Sequence, residues 1–178
     1  MWRSNIYHDP PPFPPPLGGG KGGGKIPMNK IKQLGMVDIS HKEITKRVAA
    51  ASATLKMSPK AFKILMTQGS PKGDVFETAR VAGVMAAKST PQVIPFCHPL
   101  ELSKVNVTFT TDKKKNSVTV RSEVVCQGKT GVEMESLVSA ATAALTIYDM
   151  MKWADKGMIL STLQLEHKSG GKSGEFRR

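Results

Sequence analysis

The sequence predicts an α+β fold, a four-stranded antiparallel sheet with helices packed on one face, and three observations carry that prediction. Two stretches of alternating apolar and polar residues meet at a lysine-rich turn, two further alternating stretches lie near the start and the end of the domain, and helical periodicity fills the intervals between them. Strands and helices in this order make βαββαβ, the split βαβ arrangement of ferredoxin-like folds.

Taken in order, residues 1–35 hold Pro10 to Pro12, Pro14 to Pro16 and a GGGKGGGK run. They have too little apolar surface to offset ordering entropy, so they read as a disordered leader ahead of a domain at 36–178. Met28 and Met36 both precede ordinary sequence, and a translation start at either would leave the leader out. Gly19 to Lys25 begins like a phosphate loop, but Ile26 stands where Ser or Thr is required and no strand precedes it. From Arg47, alternation of Ala49, Ala51, Ala53 and Leu55 with Val48, Ala50, Ser52 and Thr54 predicts the first strand.

Ser58-Pro59 then supplies an N-cap and a first-turn proline, Phe62, Leu65 and Met66 an apolar stripe, and Gly69 a stop. Asp74 caps the next helix with Glu77 three residues on, and Val75, Ala79, Ala82 and Ala86 carry it to about Lys88. Pro95 and Pro99 push Ile94 and His98 toward extended geometry, which makes the Ile94–Leu100 run a rigid loop. Val105, Val107 and Phe109, the turn at 112–116, and Val118, Val120, Ser122, Val124 and Cys126 form an antiparallel hairpin. A long helix runs from about Met134 to Lys152 and is apolar on most of its circumference, more than one sheet face can cover, which points to a subunit interface. Leu163, Leu165 and His167 alternate in a last strand. In the tail from Lys168 to Gly174, Glu166 stands where a phosphate loop needs glycine, yet two lysines among glycines can still wrap backbone N–H groups around an anion.

Composition narrows the functional classes. A chain of 178 residues with 39% apolar content suits one domain, diluted by the leader. The net charge is +12, of which residues 1–35 hold +4, leaving +8 on the domain and implying anionic partners. Cys97 and Cys126 without a secretory h-region suit a reduced, cytoplasmic protein, and no run of eighteen apolar residues exists to span a membrane. Cys97 and His98 have no Cys-x-x-Cys or His-x-x-x-His partner, so no metal centre is expected. A ferredoxin-like sheet that reads RNA needs stacking aromatics on its strands; the hairpin offers only Phe109, so nucleic acid is not the expected partner.

Asp149 and Lys152 are three residues apart and share a helical face, so their charges can pair. Such a pair is more often a solvated one on the surface, but the neighbours Tyr148, Met150, Met151 and Trp153 suggest an enclosed pair whose members shift each other's proton affinity and suit acid/base chemistry. Lys72 precedes a helix N-terminus, where an anion is favoured. Glu135 lies fourteen residues before Asp149, roughly 20 Å along the helix, too far to meet it within one chain.

Together, Lys72-Gly73-Asp74-Val75, Ile94-Pro95-Phe96-Cys97-His98-Pro99, the run Lys129 to Glu135, Leu145-Thr146-Ile147-Tyr148-Asp149-Met150 and the tail Lys168 to Gly174 resemble the molybdenum cofactor biosynthesis protein C family, over about Met36 to Arg178. The resemblance implies a lyase, cyclic pyranopterin monophosphate synthase, that rearranges 3′,8-cyclo-7,8-dihydro-GTP with release of pyrophosphate. It implies a ferredoxin-like homo-hexamer, a trimer of dimers with each site at a dimer interface, and no metal or organic cofactor. Residue by residue, it makes Asp149, Lys152 and Lys72 catalytic, and Arg47, Phe96, Cys97, His98, Glu133, Met134, Glu135 and Lys168 substrate-binding. Met151 and Phe96 depart from the family's frequent cysteine and leucine, and neither has a proton that the mechanism needs.

Overall fold

The computed structural model describes residues 35–178. The leader reading and the Gly19–Lys25 run, apart from Gly35, lie outside the described residues. The elements are β1 (Thr45–Lys56), α1 (Pro59–Thr67), α2 (Val75–Lys88), α3 (Thr90–Val93), β2 (Leu102–Asp112), β3 (Ser117–Gly128), α4 (Glu133–Met151), β4 (Ile159–Ser169) and β5 (Phe176–Arg177). The sheet order is β2-β3-β1-β4-β5 with every neighbouring pair antiparallel. Its first four strands are in the order expected of the split βαβ arrangement.

Two small elements go beyond the expected set. The sheet has five strands rather than four because the tail turns at Gly170–Gly174 and lays Phe176 and Arg177 against Lys168 and His167. Two residues are too few for alternation to announce a strand. The other is α3, a single turn opened by Pro91 just before the proline-bounded loop.

The caps behave as their chemistry requires. Ser58 Oγ accepts from the Ala61 N–H at 3.3 Å and Asp74 Oδ1 from the Glu77 N–H at 3.0 Å, each satisfying a donor that its helix leaves open. Helix α4 packs on β1, β3 and β4, and α2 packs on α4 and β2, so all the contacts fall on one sheet face. Its close approach to α2 depends on small residues: a Cβ at Gly83 would stand 3.2 Å from Ala143 Cβ and 3.1 Å from Val107. Ala51, Leu55, Val118, Val120, Ala144 and Ile147 form the core between helix and sheet.

The apolar girdle of α4 is therefore covered on two sides, by the sheet and by α2, and less of it remains for another subunit than its sequence suggests. Leu145 on α4, with Val81 and Met85 on α2, keeps an exposed apolar side chain. No helix among the described residues is long and apolar enough to cross a membrane.

Candidate active site

Helix α4 separates two groups of ionic side chains. Its nineteen residues place Glu133 and Asp149 about 24 Å apart at its two ends. Lys72, just before α2, reaches Asp149, whereas Cys97, beyond the far end of α2, feels the charge of Glu135. Thus α2 and α4 run antiparallel, and the residues singled out from the sequence divide between the two ends.

At the N-terminal end of α4 the strand registers bring three distant stretches together. Arg47 opposes Cys126 on β3, and its neighbours Val48 and Ala49 oppose Ser169 and Lys168 on β4. The ends of β3 and β4 thereby flank the start of β1, and the loop into α4 closes a cavity of ≈ 910 Å³. Lys42, Arg47, Lys129, Lys168 and Lys172 line it against two carboxylates, Glu43 and Glu133. An excess of cations in a partly walled space favours a multiply charged anion.

Arg47 is buried, with 8% of its surface accessible. Its Nε donates to the Gly128 carbonyl at 3.1 Å and its Nη2 to the Lys129 carbonyl at 3.2 Å, which pins the guanidinium at the cavity wall. Lys168 Nζ donates to Ser173 Oγ at 2.6 Å and lies 3.6 Å from Glu133 Oε1. Lys129 Nζ donates to the Ser40 carbonyl at 2.8 Å and holds the segment before β1 against the site.

Beside this cavity Glu135 is 3% exposed, and burial pushes its carboxyl above the usual range. Burial first, and then the charge of Glu135, raises the thiols of Cys97 and Cys126 as well, which disfavours their thiolate forms. His98 Nε2 lies 2.9 Å from the Val37 carbonyl; the carbonyl only accepts, so this nitrogen carries the proton. Phe96 and Met134 are exposed.

At the other end of α4, Asp149 stands between two ammonium groups, with Lys72 Nζ 2.7 Å from Oδ2 and Lys152 Nζ 2.7 Å from Oδ1. Hydrogen bonds from Lys152 and then Lys72 hold its carboxyl down to about 2, and the same bond raises Lys152. This corrects the expectation of an enclosed pair. The pair is not enclosed within a subunit: the Asp149 and Lys152 side chains are each 52% exposed, because Met150 and Met151 turn to the core while the charged residues face outward. Lys152 is accordingly a stronger base, since its hydrogen bond and ion pair with Asp149 outweigh its slight loss of water. Lys72 pairs with Asp149 of its own chain, and Asp74 occupies the cap of α2.

Of the cavity's lining, the sequence points to Lys168 and Lys172 as anion-facing lysines but gives no such signal for His41, Lys42 or Lys129. Lys129 lies within a recognised motif; His41 and Lys42 lie in an irregular segment with no periodicity or motif to mark them.

Comparison with known proteins bears on this arrangement. A family model described as the MoaC family matches residues 36–171. A cyclic pyranopterin monophosphate synthase of Oleidesulfovibrio alaskensis is 51% identical over 142 residues, covering 80% of this chain and 89% of that protein. One from Desulfatibacillum aliphaticivorans is 50% identical over 141 residues (79% and 89%), and one from Helicobacter hepaticus 46% identical over 151 residues (85% and 95%). The family match extends from the segment before β1 to Gly171 in the turn after β4, so it takes in Arg47, Glu133 and Lys168 at one end of α4 and Lys72, Asp149 and Lys152 at the other, and the chain belongs to the MoaC family.

Proposed function

We propose that this protein is a lyase of molybdenum cofactor biosynthesis that converts 3′,8-cyclo-7,8-dihydro-GTP to cyclic pyranopterin monophosphate and pyrophosphate. The observation that carries the reading is the cavity at the start of α4, where five Lys and Arg side chains outnumber two Glu. A nucleotide triphosphate presents the matching charge. Arg47 and Lys168, with Lys72 from the other ionic group, neutralise the phosphates and stabilise the leaving pyrophosphate. Glu133 or Glu135 accepts from the guanine-derived N–H groups, and Phe96, Cys97, His98 and Met134 bound the base.

Asp149 and Lys152 exchange the protons of ring opening and closure. With its carboxyl held near 2, Asp149 is too weak a base in a lone subunit. A second subunit seated over it would exclude water and raise its proton affinity, while substrate phosphates compete for Lys72. The same packing would bring the Asp149 end of one α4 to the Arg47 end of its partner's, and it agrees with a homo-hexamer built as a trimer of dimers. In this reading residues 36–178 are the catalytic domain, the leader takes no part, and the protein works in the cytoplasm. Incubating the purified protein with the cyclised nucleotide tests the activity: pyrophosphate and an oxidisable pterin should appear together. Unchanged nucleotide would end the proposal.

A further inference from the structure

We infer that Gly171 is a positioning residue: its missing side chain is what lets the Arg47 guanidinium stand at the wall of the anion cavity. A Cβ at Gly171 would overlap Arg47 Nη1 and come within 2.9 Å of Nη2. The far end of a long side chain ordinarily moves aside at little cost, but Arg47 is buried and tied through Nε and Nη2 to the Gly128 and Lys129 carbonyls. A methyl group at 171 must therefore break one of these bonds or push the turn away from β1. The first outcome frees the guanidinium from the wall, and the second draws the turn with Lys172 away from it.

At Gly131 the corresponding overlap is cheap to relieve, because the Glu133 carboxylate is the free end of a partly exposed side chain. A Cβ there would overlap Glu133 Oε2 and stand 2.7 Å from the carboxyl carbon. Glu133 in turn faces Lys168 at 3.6 Å. Only Gly171 thus faces a charged group that cannot move aside freely.

This inference rests on the anion site proposed above, and the test separates the two. Gly171 has φ +77°, so alanine there also strains the backbone; Gly174 in the same turn has φ +69° with nothing near its Cβ position, so Gly174→Ala is the matched strain control. The full-length protein and its Gly171→Ala, Gly174→Ala, Arg47→Ala and Gly171→Ala/Arg47→Ala variants are titrated with inorganic pyrophosphate by calorimetry and assayed for KM and kcat.

Loss of one charge-assisted hydrogen bond predicts weakening of about ten- to hundredfold for Gly171→Ala, carried by KM, against little change for Gly174→Ala. Once Arg47 is absent, adding Gly171→Ala should cost no more than adding Gly174→Ala. Equal losses in the two glycine variants, or additive losses in the double variant, would overturn the inference while leaving the function standing. Thermal melts of the same proteins report the contact without ligand, and Gly171→Ala should destabilise more than Gly174→Ala only while Arg47 is present. Wild type that neither binds pyrophosphate nor turns over overturns the functional reading and the binding half of the inference together; the melts then decide the steric half.

Discussion

Replacing Arg47 with alanine should weaken the fold and the site at once, by separable amounts. The guanidinium satisfies the Gly128 carbonyl in a buried position and the Lys129 carbonyl in a partly buried one. A buried acceptor left without a donor costs about 1–3 kcal/mol, and water entering from the cavity will relieve the more accessible of the two, so the sum falls at about 2–4 kcal/mol. In a chain of this size that lowers Tm by roughly 5–15 °C. Arg47→Lys keeps a charge but replaces the planar fork by a single ammonium, so it should recover part of the stability. Urea midpoints of the three proteins measure the first effect, and KM for the cyclised nucleotide the second. An alanine variant that melts with wild type would refute the argument that these two bonds pin the start of β1 to the loop into α4. One that melts early yet keeps its KM would remove Arg47 from the anion site.

The other predictions address separate links. Asp149→Asn should abolish pyrophosphate release while sedimentation shows unchanged assembly, and Lys72→Ala should do nearly the same; normal turnover in the Asn variant would remove Asp149 from the mechanism. Glu135→Gln should gain stability on wild type as pH rises above 4.5, the ordinary carboxyl value, because burial makes the folded chain hold a proton there that the unfolded chain has released. Urea midpoints measured from pH 4.5 upward that keep a constant gap would show that Glu135 titrates alike in both states. Ile147→Ala, at a position with no accessible surface, should cost about 2–5 kcal/mol by opening a cavity between α4 and the sheet, seen as an early unfolding transition.

Much of the fold can be read before any coordinates are known, because its signals are local. Ser58-Pro59 and Asp74 mark helix starts through their own hydrogen bonds to nearby N–H groups, and the alternation from Arg47 to Leu55 records which side of one strand meets the core. Two signals were too short to register, the two-residue β5 and the one-turn α3. The site reads less completely. Arg47, Glu133 and Lys168 meet at one cavity, and Asp149, Lys152 and Lys72 join at the other end of α4, but the apolar neighbours of Asp149 misstate its surroundings. Residues adjacent in sequence on a helix point to different sides, so Met150 and Met151 say nothing about the environment of Asp149.

The order of strands and helices, the caps, the basic character of the domain and the family all follow from the sequence by itself, since each depends on residues within a few positions or on motifs taken whole. Only tertiary structure decided that residues near 42, 129 and 170 share one cavity. The antiparallel registers of β1 with β3 and β4 bring the ends of those strands to the start of β1, and no local preference encodes that meeting. Likewise it took packing to show Asp149 exposed and doubly paired, because exposure depends on what covers a residue from elsewhere in the chain.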